Sequence, residues 1–255
     1  MKVSYLRDSS GKRIDFRSLA EKELKHFTVP QGSCFDGAYL YMAFEQKENK
    51  EAKREHRVKI VKINFATKKI EKISKALKLG HANDMCFNNG VLYITHSGSK
   101  KLIHTVKSNS LAKGKDISIS YPSKYKKYAT GFNGIAKYED GYVLRCMGGN
   151  YLMYFDDDFK FKEAVKYSDG FGSIKVDSQG ITYRNGTVVR AFSRLQSKSK
   201  NYICKYGLNG KFKTTKSKLK MTGELESVFY VENKLYGTSY RKKGKKRMAY
   251  IFKIG

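Results

Sequence analysis

Tryptophan is absent from this sequence, proline occurs twice, and 23 acidic residues face 52 lysines and arginines. With so little proline and no Gly/Ser-rich or Pro-rich stretch, nothing divides the 255 residues, and one domain spanning 1–255 is expected. No apolar run approaches the ~18 residues of a membrane span. The opening Met1-Lys-Val-Ser-Tyr-Leu-Arg-Asp8 has no apolar h-region and does not read as a signal peptide. Cys34, Cys86, Cys146 and Cys204 stand about fifty residues apart with no CxxC pair, which argues against a zinc knuckle or a redox motif. Helical periodicity is nearly missing too, Phe16–Leu24 being the one short candidate. Gly-x-Ser-x-Gly, His-Glu-x-x-His and phosphate-loop motifs do not occur, and neither a metal site nor a cofactor is expected.

What is abundant is positive charge and aromatic surface. The formal charge is +29, a field that attracts anionic polymers, nucleic acid or an anionic membrane surface. Lysine far outnumbers arginine, whereas bidentate phosphate and base readout prefer arginine. The basic residues are also scattered, with short clusters only at 124–127 and 241–247. General polyanion affinity is therefore expected, and specific nucleic-acid recognition is not. Nineteen tyrosines and 15 phenylalanines suffice for a packed interior, with exposed tyrosines available to stack on sugars.

The decisive feature is an internal repeat. Five segments align without a gap over fourteen residues: QGSCFDGAYLYMAF from Gln31, NDMCFNNGVLYITH from Asn83, NGIAKYEDGYVLRC from Asn133, QGITYRNGTVVRAF from Gln179 and ESVFYVENKLYGTS from Glu226. Their starts are separated by 52, 50, 46 and 47 residues. Each copy runs from an amide or acid through a short strand and a Gly/Asn/Asp turn into an apolar strand, a β-hairpin written five times. Further alternating stretches, such as Val58–Phe65, Leu102–Val106 and Met248–Ile254, fill the rest of each period. Four short strands in about fifty residues is the period of a propeller blade. The fold expected is an all-β, five-bladed β-propeller with four-stranded antiparallel blades. The last copy runs out after three strands, so the N-terminal segment Val3–Phe16 is expected to supply the fourth and close the ring. Cys34 and Cys86 hold the same place in two copies and read as buried structural thiols.

In a propeller the first strand of each blade lines the central channel. Gln31, Asn83, Asn133, Gln179 and Glu226 open the five copies, so a polar position leads each time into buried strand. Buried polar groups must find hydrogen bonds, either to each other or in a solvated channel, and one channel mouth becomes the candidate ligand site. Second-strand residues His96, Arg145, Arg190 and Tyr240 are expected at the same mouth. Two copies carry more. Gly80-His81-Ala82-Asn83-Asp84 brings imidazole, amide and carboxylate together, and Glu224 and Glu226 stand at i and i+2 on one face of a strand. Crowded carboxylates can work as general acid and base, which makes Glu226, Glu224, His81 and Asp84 the candidate catalytic groups.

The final blade, GELESVFYVENKLYGTSYRKK through AYIFKIG, resembles the last repeat of helveticin J-type proteins, large bacteriocins of lactic acid bacteria, as do Asp177-Ser-Gln-Gly-Ile181 and Pro30-Gln-Gly32. That resemblance implies binding at the bacterial envelope and slightly favours an extracellular or cell-surface location. Thr28-Val-Pro-Gln-Gly32 and Gly223-Glu-Leu-Glu226 are in turn similar to motifs of propeller-type glutaminyl cyclotransferases. This similarity implies Glu226 or Glu224 as acid/base in pyroglutamate formation, with Gln31 lining the pocket. Three readings stand open: a binding module for an anionic polymer or glycan, an enzyme using Glu224, Glu226, His81 and Asp84, and a structural or assembly protein whose channel residues tolerate replacement. A monomer is favoured under each.

Overall fold

The computed structural model describes residues 1–46, 57–96, 98, 101–168, 171, 177–194, 200–244 and 246–255. Within them the chain forms five blades of four antiparallel strands, as the repeat predicts. After β1 (Val3–Tyr5), blade 1 comprises β2 (Phe27–Phe35), β3 (Tyr39–Gln46), β4 (Arg57–Asn64) and β5 (Ile70–Ile73), with β6 (Leu77–Lys78) also pairing β4. Blade 2 is β7 (Asp84–Asn88), β8 (Val91–Thr95), β9 (Leu102–Lys107) and β10 (Ile117–Ser118). Blade 3 is β11 (Phe132–Tyr138), β12 (Gly141–Cys146), β13 (Tyr151–Phe155) and β14 (Phe161–Lys166). Blade 4 is β15 (Asp177–Arg184), β16 (Thr187–Ser193), β17 (Tyr202–Gly207) and β18 (Phe212–Lys218). Blade 5 is β19 (Glu224–Val231), β20 (Lys234–Lys243), β21 (Lys246–Ile254) and, outermost, β1.

The innermost strands β2, β7, β11, β15 and β19 contact one another in a closed ring. Between each pair of neighbouring blades lies one apolar cluster, five in all. Strand alternation explains them. On β3, Leu40, Met42 and Phe44 face blade 5 and meet Phe229 and Ile251, while Tyr41 and Ala43 face blade 2 and meet Met85, Leu92 and Ile94. Because both faces of a blade are covered, its strands are apolar on both sides, and period two shows only in which neighbour a residue touches. The four cysteines are buried and free, and burial pushes the Cys34 and Cys86 thiols well above their ordinary range.

Ring closure follows the expectation from the repeat. Val3, Ser4 and Tyr5 pair with Ile254, Lys253 and Phe252, so both chain ends share one blade. The clasp continues beyond β1: Leu6 donates to the Ile251 carbonyl, Phe16 to the Ala249 carbonyl, and the Ala249 N–H donates to Asp15 Oδ1 at 3.0 Å. Ile14, Phe16, Ala20 and Leu24 then cap the cluster between blades 5 and 1. The short helix candidate at Phe16–Leu24 is a single 3₁₀ turn, Ser18–Ala20. No helix among the described residues is long and apolar enough to cross a membrane.

Deleting residues 1–7 would expose the β21 edge and strip part of the blade 5–blade 1 cover. The expected result is a fall in Tm of roughly 5–10 °C with increased self-association on gel filtration, since an open strand edge is a template for pairing. An unchanged Tm would mean that β1 contributes nothing to closure.

Candidate functional site

The polar position that opens each repeat turns out to be a backbone irregularity. Strand register shifts between Pro30 and Ser33, Phe132 and Gly134, Ser178 and Ile181, and Leu225 and Ser227. Gln31, Asn133, Gln179 and Glu226 therefore sit in β-bulges of four inner strands. In the fifth, Asn83 stands immediately before β7, after Ala82 in a left-handed conformation (φ 48°). A bulge leaves its extra residue out of the ladder and re-aims the side chain. The five polar positions stand at the same end of the inner strands, with Gln31, Asn133 and Glu226 buried there.

The residue after each of these is Gly32, Asp84, Gly134, Gly180 or Ser227. Only one carries a large side chain, and the geometry allows no more. A Cβ on Gly32 would lie 2.5 Å from the Asp84 Cα, and one on Gly180 would lie 2.8 Å from Asp84 Oδ1. Asp84 itself is fully buried, and its Oδ2 accepts the backbone N–H groups of Ile181 at 2.8 Å and Ile135 at 3.0 Å. Its Oδ1 lies 3.4 Å from the Ser227 hydroxyl, which also accepts the Ser33 N–H at 3.1 Å. One carboxyl group and one hydroxyl thus tie inner strands of all five blades across the axis. Burial pushes the Asp84 carboxyl up to about 8, against the pull of the Ile181, Ile135 and Met85 N–H groups and the Ser227 hydroxyl.

Beyond this plug, on the side of the hairpin turns, lies a recess of about 160 Å³. Its walls include Cys34, Cys86, Ile135 and Thr182, with Lys137 and Tyr183 further along the same strands. The candidate residues lie on the other side, at the polar mouth.

There the groups fall into two sectors. Around blades 5, 1 and 2 stand carboxylates: Glu224 and Glu226, both buried on β19, and Glu45 at the end of β3, whose Oε1 is 2.7 Å from His81 Nδ1. Gln179 Nε2 donates to Glu224 Oε1 at 3.1 Å, linking blade 4 to blade 5. Gln31 is 5% exposed, and its amide makes no hydrogen bond among the described residues. Around blades 3 and 4 stand guanidinium groups. Arg145 Nη1 donates to Asn133 Oδ1 at 2.7 Å, and its Nε lies 3.4 Å from the Tyr167 hydroxyl. Asn133 Nδ2 in turn donates to the Ser178 carbonyl at 3.3 Å. Arg190 is buried, with Cζ 3.9 Å from the Tyr167 ring centroid and 4.5 Å from that of Phe192, and its Nη2 donates to Ser178 Oγ at 3.2 Å.

The remaining candidates sit less centrally. Tyr240 is buried opposite Glu224 in the β19–β20 register, and its hydroxyl accepts a bond from Arg247 at 2.9 Å. His96 packs against Gly80 and stacks on His104 of the third strand of its blade at 5.1 Å. The four groups considered for catalysis thus separate: Asp84 is sealed on the axis, while His81, Glu224 and Glu226 belong to the mouth. No group of three or more His, Cys, Asp or Glu among the described residues is arranged to hold a metal ion.

Sequence reasoning missed Glu45, Tyr167 and Asn201, which lie outside the fourteen-residue alignment or at its edge. Asn201 Oδ1 accepts the Leu225 N–H at 2.9 Å and the Ser193 hydroxyl at 2.7 Å, while its Nδ2 donates to the Gly223 carbonyl at 2.9 Å. That clamp positions the Glu224–Glu226 segment. The glycine after Gln31, Asn133 and Gln179 was a visible signal of close approach at the axis.

No family model matches the chain, and neither does any curated protein sequence. Solved structures do match in fold. A glutaminyl cyclase of Myxococcus xanthus is similar over 90% of this chain and 93% of its own, with TM-score 0.56 and 12% identity. A luciferin-regenerating enzyme covers 90% and 92% at TM-score 0.50 and 12% identity. The tail fiber of Staphylococcus aureus phage P68 covers 89% of this chain at TM-score 0.60 and 14% identity, this chain matching half of that one. At such identities the likeness shows the propeller fold alone. The helveticin-type resemblance gains no support from any of the three comparisons.

Substitutions at Asp84 test the plug. Asp84→Ala leaves two buried N–H groups unpaired and is expected to cost roughly 2–6 kcal/mol. Asp84→Asn keeps an acceptor oxygen and should fold. Because burial raises the native carboxyl from 3.8 to about 8, its contribution is complete below pH 4 and is lost as pH rises through 8. Wild-type Tm should therefore fall between pH 5 and pH 9 (a range set by that shift) relative to Asp84→Asn. Parallel Tm–pH curves for the two proteins would count against this account.

Proposed function

We propose that this chain is a recognition module that binds an anionic, glycan-type polymer at its polar mouth, the basic surface drawing the polymer in. The observation that carries the reading is the ring of bulges. Four inner strands bulge at Gln31, Asn133, Gln179 and Glu226, and Asn83 immediately precedes the fifth, so a polar residue recurs at the same end of every blade. Bulged polar side chains beside fixed guanidinium and carboxylate groups suit ligands rich in hydroxyl and acidic groups. The +29 charge adds long-range attraction without specificity. A phage tail fiber among the similar structures, and the helveticin-like motifs of the last blade, make bacterial envelope polymer the natural class to try first.

An enzyme at the same mouth is the second reading, favoured by the burial of both Glu224 and Glu226 there and by a glutaminyl cyclase of the same fold. In that case His81, Glu224 and Glu226 would be the working groups, and Asp84 would hold the ring together.

Binding to acidic and neutral envelope polymers at low and at physiological salt separates the two. The recognition reading expects selective binding of acidic polymer that survives physiological salt and weakens about tenfold in Gln179→Ala or Glu226→Gln. Binding that is unselective, disappears with salt and ignores both substitutions would reduce the charge to a surface property. Catalytic turnover lost in Glu226→Gln with the fold intact would instead establish the enzyme.

A further inference from the structure

We propose that Arg145 and Arg190 form an oxyanion subsite in the polar mouth that takes the carboxylate of an acidic sugar unit; this deepens the polymer-binding reading and rests on it. The two guanidinium groups come from the second strands of adjacent blades, β12 and β16, and share Tyr167, one near its hydroxyl and the other over its ring. Among the described residues neither has an acidic group within salt-bridge reach. The described ion pairs lie elsewhere, at His81–Glu45, His104–Asp116, Lys113–Asp116, Lys137–Asp157 and Lys160–Asp158.

Arg190 is the costlier of the two. It is 1% exposed, and beyond the single bond to Ser178 its Nε and Nη1 have no hydrogen-bond partner. Burial lowers its guanidinium from the usual value, and the like charge of Arg145 adds to that. A buried cation without a counter-ion, set beside a second cation, is poor material for holding blades together, because an apolar chain of the same volume would pack there at lower cost. It does create a fixed positive potential at this sector of the mouth.

The division of labour follows from exposure. Arg145 is partly exposed and is the group that touches the ligand, with Asn133 fixing its orientation through the 2.7 Å bond. Arg190 is a positioning residue that acts through charge and through Tyr167. A carboxylate fits better than a phosphate because Glu224 and Glu226 stand on the neighbouring blade. They would repel a dianion, and they would accept hydrogen bonds from the hydroxyls of a sugar ring. The open amide of Gln31 offers both a donor and an acceptor to the same ring.

The test is calorimetric titration of the intact chain with methyl glucuronide, methyl glucoside and inorganic phosphate, for wild type, Arg145→Gln and Arg190→Met, with Tm recorded for each. Glucuronide should bind wild type and raise its Tm, and glucoside should do neither. Arg145→Gln should weaken glucuronide about tenfold or more at unchanged Tm. Arg190→Met should weaken it too, with Tm equal to or above wild type, which a merely structural arginine would not permit. Arg145→Gln decides the matter alone if Arg190→Met does not fold. Unchanged glucuronide affinity in Arg145→Gln would overturn the subsite, and phosphate binding as tight as glucuronide would overturn the sugar carboxylate. Acidic polymer bound equally by wild type and both variants would sink the subsite and leave the wider reading standing. Wild type that binds neither polymer nor glucuronide would sink both.

Discussion

Five strand edges with no neighbour on one side must meet around a single axis, and the fold depends on how their backbone groups are satisfied there. The Ile135, Ile181 and Ser33 N–H groups find the Asp84 carboxyl and the Ser227 hydroxyl. Glycine at positions 32, 134 and 180 makes the room, since a side chain at Gly32 or Gly180 would collide with Asp84. An unmade bond to a buried N–H costs more than a made one contributes, so this small cluster weighs heavily in the ring as a whole. It also separates the recess on the turn side, lined by Cys34, Cys86, Ile135 and Thr182, from the end of the inner strands that carries Gln31, Asn133, Gln179 and Glu226.

The bulges join that architecture to the candidate site. To bring backbone N–H groups to the axis, four inner strands slip register, and each slip throws one polar side chain out of the ladder. The mouth is therefore a by-product of closure that is available for use. Its two sectors differ in sign because blades 3 and 4 contribute arginines from their second strands where blades 5 and 1 contribute glutamates. The local pattern is set against a background of +29, so the carboxylates stand out more than the arginines do. Arg190 is distinguished instead by its burial, being 1% exposed with no acidic group within salt-bridge reach among the described residues.

Blade number, strand order and closure by the N-terminal strand were legible in the sequence, because a fifty-residue period must bury its faces against copies of itself and can do so only by stacking around a ring. The recurring polar position was legible as well. Residues 70–78 alternate in sequence, yet they form two separate strands, β5 and β6, both paired with β4. Alternation records which faces are covered and says little about where pairing stops.

What the sequence alone determined is the architecture and the chemical character of one channel mouth, since both repeat five times and repetition is a sequence property. Tertiary structure decided the roles. Asp84 and His81 are near neighbours in the chain, yet one locks the axis and the other pairs with Glu45 from the preceding blade. Arg145 and Arg190 are 45 residues apart and meet only through Tyr167. Glu224 finds Gln179, and Asn201 holds the strand that carries Glu224. Each of these partnerships joins one blade to another, Asp84 across the axis and Tyr167 between blades 3 and 4, and no spacing within a repeat encodes a contact between repeats. Which polar groups are spent on structure and which remain open to a ligand depends on those crossings.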